Sequence, residues 1–210
     1  MSVLNLPRHP GLFSTTRLGL VTSNEMSATL RDWMILIAAG IGAACASVFL
    51  DLKIQRVPGH AILRVVFPMA VGLALVPRKG AGCVMGATGF VTGLSLYLAG
   101  FKGEGIGVGA LASLTATGPI LDWTLRRSKG GWWQYVLFGL AGLASNTLAF
   151  VVRAGAKAMG WEMAGRRPLG EWIMQASVTY LLCGLAAGLI SGIILFYGRK
   201  TTESPTETNL

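Results

Sequence analysis

Six apolar stretches, separated by short polar or glycine-rich connections, make up most of this chain. They run at about 33–50, 61–76, 80–100, 105–121, 132–152 and 172–197. A helix needs roughly 20 apolar residues to cross a bilayer, so each stretch reads as a membrane helix. The second is the shortest and contains Arg64; the last is long enough to tilt. The pattern predicts an all-α protein, a polytopic bundle of about six transmembrane helices over residues 31–200. Residues 1–30 form a polar N-terminal tail, expected to be disordered, within which Met26 offers a second start, and 201–210 a disordered C-terminal tail.

Composition narrows the class. Of the 210 residues 52% are hydrophobic and 13% charged, against about 25% charged in a typical soluble domain. A soluble protein of this length would need far more charged surface. The net charge of +9 does not point to nucleic acid, because the basic residues sit in small clusters between apolar stretches, where anionic lipid is the expected neighbour. Six spans put both termini on one side. That side carries ten Lys and Arg against eight on the other. The larger set includes the flanking pairs Arg78-Lys79, Arg126-Arg127 and Arg199-Lys200. Positive-inside weighting therefore predicts cytoplasmic termini in a plasma-membrane protein.

The stretch with the most chemistry lies at the mouth of the second span. His60, Arg64 and Pro68 recur at steps of four, so a helix sets them on one face. Val57-Pro58-Gly59 ahead of them reads as a turn. An arginine at membrane depth costs at least about 2.5 kcal/mol unless paired, hydrated or snorkelling. Arg64 therefore either reaches up to lipid headgroups or faces a cavity. Asn146 and Arg153, seven apart, share a face of the fifth span, with Lys157 a turn beyond. Tyr97 near the end of the third span, and Trp172 and Gln175 opening the sixth, fall at the same depth. Each has a plainer use: Asn146 as a bond between helices, Trp172 and Tyr97 as interface anchors. Their convergence at one end is what marks a candidate substrate site. Arg64 and Arg153 have no acidic partner within their own spans, which favours an organic anion or zwitterion as ligand.

Other signals are weaker. Gly103, Gly105, Gly107 and Gly109 lack the strand and acidic residue of a dinucleotide fold, and the run ending in Lys200 is not a phosphate loop. Gly-x-Ser-x-Gly and His-Glu-x-x-His are absent. Asp122, beside Trp123 and Arg126, reads as half of an interfacial pair. Cys45, Cys83 and Cys183 lie inside apolar stretches without CxxC spacing, so no disulfide, metal or cofactor is indicated.

Small residues recur at steps of four in the last span, at Gly184, Gly188 and Gly192. In the first they stand at Ala39, Ala43 and Ser47, with Ala38, Gly42 and Ala46 beside them. Such faces let helices approach closely in lipid, and the first span has more of them than one neighbour needs. Six spans in about 200 residues, cytoplasmic termini and the Ala39, Ala43, Ser47 face resemble the substrate-binding S components of energy-coupling-factor transporters, over residues 30–198. Ser47 departs from the third alanine often found there. The resemblance implies that Ala39, Ala43 and Ser47 dock onto a transmembrane coupling protein served by two ATPase subunits. It also implies a vitamin or metal ion bound near the outer face, under the loop joining the first two spans. The cobalt and nickel branch uses a histidine close to the amino terminus, which His9 and His60 do not match.

The expected function is therefore a non-enzymatic, membrane-embedded binding subunit for uptake of a small organic solute. Two alternatives stand beside it. One is a small intramembrane enzyme on a lipid-linked or phosphorylated substrate, with His60 as acid or base and Arg64 and Arg153 as an anion clamp. The other is a structural or assembly subunit.

Overall fold

The computed structural model describes residues 30–50, 59–76, 78–101, 107–125, 132–160 and 169–196. The expected tails, apart from Leu30, and Glu104, Arg126, Arg166 and Arg167 lie outside them. Among the described residues the chain is all-helical, without strands. The helices are α1 (Leu30–Phe49), α2 (Ile62–Leu75), α3 (Ala81–Leu98), α4 (Val108–Leu125), α5 (Trp133–Ala158) and α6 (Leu169–Phe196). Each falls on one of the six apolar stretches.

Four of them, α1, α3, α5 and α6, are long and apolar enough to cross a membrane. Their outward faces carry large apolar side chains such as Met34, Ile41, Val91, Leu140, Met174, Leu182 and Ile194, a surface suited to lipid and costly in water. The chain is a membrane-inserted helical bundle on these grounds. The other two helices fall outside that set. The second has 14 residues, short of the roughly 20 a span requires. The fourth carries Ser113, Thr115, Thr117, Asp122 and Thr124, which dilute its hydropathy.

The short helix is the hub. It packs against all five others, while α1, α3, α4, α5 and α6 neighbour one another in that order around it. Its residues Val65, Val66, Met69, Ala70, Leu73 and Ala74 are buried, so it is apolar on nearly every side. Pro68 falls inside it, and a proline there deprives the carbonyl four residues back, that of Arg64, of its helical donor. Pro119 does the same to Thr115 in α4, whose carbonyl faces Gly86 of α3.

Several hydroxyls that would be stranded in lipid are satisfied within their own helices, while those of Ser113, Ser145 and Ser191 are buried without a hydrogen-bond partner among the described residues. Ser47, Thr88, Thr117, Thr124 and Thr147 each donate to the carbonyl four residues earlier, at 2.7–2.9 Å. At the end of the bundle holding the 78–80 turn, Asp122 (5% exposed) accepts the N–H of Gly80 at 2.8 Å, which caps α3. The carboxylate expected to pair near Arg126 thus has a role across helices. On the same side Arg78 pairs with Asp32 at 3.7 Å.

Backbones meet where glycines face each other. A Cβ on Gly82 would overlap the Gly118 carbonyl, and the reverse holds for Gly118. One on Gly142 would strike the Gly184 carbonyl, and one on Gly188 the carbonyl of Phe138. Since lipid tails are as apolar as leucine, such contacts rather than hydrophobic exclusion hold helices together. Gly42, with open space around its Cα, is the contrast within α1. The expected outcome is that Gly188→Ala lowers stability by about 1–3 kcal/mol through overpacking, whereas Gly42→Ala leaves it unchanged or slightly higher. Thermal unfolding midpoints of the two variants in one detergent check this; equal midpoints would remove the close-contact argument.

Candidate functional site

At the end of the bundle opposite Asp122, a turn at Gly59–Ala61 enters α2. Gly59 has φ +86°, and a Cβ there would press on the Tyr180 ring and backbone. Both the left-handed backbone and the contact select glycine. The carbonyl of Gly59 accepts a hydrogen bond from Asn146 Nδ2 at 3.2 Å, and the same nitrogen donates to the Tyr180 carbonyl at 2.6 Å. One amide, 2% exposed, thereby ties the turn, α5 and α6 together.

The turn presents His60 one helical step from Arg64. Both are buried, at 8% and 6% exposed. Arg64 Nη2 lies 3.0 Å from His60 Nε2. A guanidinium only donates, so Nε2 is the acceptor and the ring proton belongs on Nδ1. Arg64 Nη1 donates to the Ser47 carbonyl at 3.2 Å. That carbonyl belongs to the last turn of α1, whose terminal carbonyls lack helical donors and carry the negative end of the helix dipole. Arg64 therefore reaches neither upward to headgroups nor to an acidic partner at Glu171, which is exposed on α6. It closes the end of α1.

A second group stands beside the first. Arg153 Nη1 donates to the Tyr180 hydroxyl at 3.3 Å, and its guanidinium lies 5.7 Å from the centre of the Trp172 ring. The Lys157 ammonium lies 5.2 Å from the same ring. Phe150 stacks on Trp172 at 5.8 Å and leans on Tyr180 at 5.4 Å. Tyr180 is the link between the groups: its carbonyl meets Asn146 and its hydroxyl meets Arg153.

His60, Arg64, Asn146, Arg153 and Trp172 are thus brought to one end of the bundle. Tyr97 is not. It is 55% exposed at the end of α3, a helix that packs against α1, α2 and α4. Gln175 is exposed on α6. Its position follows from helical phase, since Trp172 and Ala176 turn inward and Gln175 falls between them. Tyr180 is the member that the sequence reading missed. The spacing of eight from Trp172 placed it on the inward face, but it reads as one more apolar residue in a long span.

The first-span face requires correction. Ala43 and Ser47 are 0% and 1% exposed, and Ala39 is half-buried, close enough that a Cβ on Gly72 would meet it at 2.8 Å. The row Ala39, Ala43, Ser47 packs inside the bundle, because α2 and α3 occupy that side of α1. The neighbouring row stays open: Ala38 is exposed, Ala46 is half-buried and Gly42 has no atom near its Cβ position.

Among the described residues no group of three or more His, Cys, Asp or Glu is placed to hold a metal ion. No protein-family model, curated protein sequence or solved structure matches the chain. Asn146→Leu keeps the volume but removes both donors, so protection of the Gly59–Leu63 amides should fall by the equivalent of about 1–3 kcal/mol. Hydrogen–deuterium exchange by mass spectrometry reads this directly. Unchanged protection would mean that packing of Gly59 on Tyr180 alone holds the turn.

Proposed function

We propose that this chain is the solute-binding subunit of an ATP-driven uptake transporter of the energy-coupling-factor type, seated in the plasma membrane with both termini cytoplasmic. The observation that carries the reading is the concentration of His60, Arg64, Asn146 and Tyr180 at one end of an otherwise apolar bundle, beneath the turn that follows the first connection. Polar groups in such surroundings are expensive, and their presence together has a use in binding. The solute is a small organic anion or zwitterion, a vitamin or precursor being in range, since Arg64 at the turn carries guanidinium donors that suit a carboxylate or phosphate.

Coupling to a transmembrane partner and two ATPases would use the open row Ala38, Gly42 and Ala46, since Ala43 and Ser47 are occupied within the bundle. Affinity purification of the tagged protein under gentle extraction should bring down an ATPase pair and a second membrane protein. Gly42→Trp should abolish that association and uptake while leaving solute binding intact, and Ala43→Trp should disrupt the bundle itself. Recovery of the chain alone, together with normal uptake by the Gly42 variant, would overturn the reading.

A further inference from the structure

The cations at the far end of α5 have a depth as well as a position. Arg153 lies twenty residues beyond Trp133, which is about 30 Å along the axis at ~1.5 Å per residue. That is one hydrocarbon thickness. Trp133 is exposed at its end of the helix and packs edge-on against Trp132 at 5.6 Å, the arrangement of an interfacial aromatic belt. If these tryptophans mark one interface, Arg153 and Trp172 mark the other, and Lys157 lies one turn further out, in the headgroup layer.

Two cations share one indole there. Arg153 and Lys157 stand at i and i+4 on the same face, at 5.7 and 5.2 Å from the centre of the Trp172 ring. Like charges at that spacing destabilise a helix. The indole face offsets part of the repulsion, and Lys157, at the outer end of the pair, is placed to meet an anion in the headgroup layer. We propose that Arg153, Lys157 and Trp172 form a binding site for the phosphate of an anionic membrane lipid, on the outer rim of α5 and α6. Arginine and lysine supply donors suited to phosphate oxygens, and the indole N–H and ring fit the boundary between acyl chain and headgroup. Through Arg153 and the Tyr180 hydroxyl, the lipid would brace the same tyrosine whose carbonyl holds Asn146. The assignment does not depend on the transport reading.

The test uses the full-length protein in a zwitterionic detergent. Phosphatidylglycerol, phosphatidylcholine and inorganic phosphate are each added, and bound lipid is read by native mass spectrometry alongside the thermal midpoint. Phosphatidylglycerol should be retained and raise the midpoint, phosphatidylcholine should do neither, and inorganic phosphate alone should give no shift. Lys157→Gln should weaken phosphatidylglycerol binding about fivefold, and adding Arg153→Gln about fivefold again, while Lys157→Arg should retain it. Where the double variant fails to fold, Lys157→Gln decides, because it leaves the Arg153–Tyr180 bond in place. Equal retention of the two lipids, or undiminished binding by Lys157→Gln, would overturn the site and leave exposed Glu171 as the counter-charge to examine. A full shift with inorganic phosphate alone would overturn the lipid assignment in favour of a soluble phosphate.

Discussion

A guanidinium buried in an apolar bundle has to be held by the chain's own polar groups, and the arrangement of the other helices follows from how Arg64 meets that demand. Its bond to the Ser47 carbonyl joins the start of α2 to the end of α1. A hydrogen bond to a charged group is worth about 1.5–3 kcal/mol, and here it also satisfies a helix end that neither water nor lipid would reach. The cation rests against the negative end of a dipole, so part of the cost of Arg64 is met within the chain. With its entry fixed in this way, the short α2 occupies the centre, and the five longer helices arrange around it.

The second constraint is solvent. Helices whose outer faces are as apolar as their inner ones gain little from burying apolar area, so association depends on how closely backbones approach. The glycine contacts between α3 and α4, and between α5 and α6, supply that approach. Their positions leave the polar residues little choice of location. Most of the threonine hydroxyls and that of Ser47 fold back onto their own helices. The side chains too large to do so gather at the ends, at Asp122 on one side and at the His60 turn on the other.

At the His60 end, the proposed solute would compete with the fold for the same atoms. Asn146 Nδ2 holds the turn, and Arg64 and His60 hold each other. A solute entering there would exchange some of these bonds for its own, and the turn would move as it did so. Arg153, Lys157 and Trp172 sit outside this set, and Tyr180 joins the two groups through its carbonyl and its hydroxyl. A lipid phosphate bound there, as proposed, would have a route to the turn.

The hydrophobic pattern alone determined the number of helices, their approximate extents and the apolar outer surface, because in lipid each helix must satisfy its own backbone and needs only local composition to form. It also brought His60, Arg64, Asn146, Arg153 and Trp172 to one end, since the alternating direction of successive spans fixes which ends coincide. Tertiary structure decided everything that depends on rotation about a helix axis. Whether Ala43 faces a partner or α3, whether Tyr97 joins the cluster or meets lipid, and whether Arg64 points up or inward are set by which neighbour stands on which side. A repeat of four says that residues share a face; it carries no information about what that face will meet. Tyr180 was hidden for the same reason, its carbonyl and hydroxyl gaining their roles only when Asn146 and Arg153 of another helix were brought alongside.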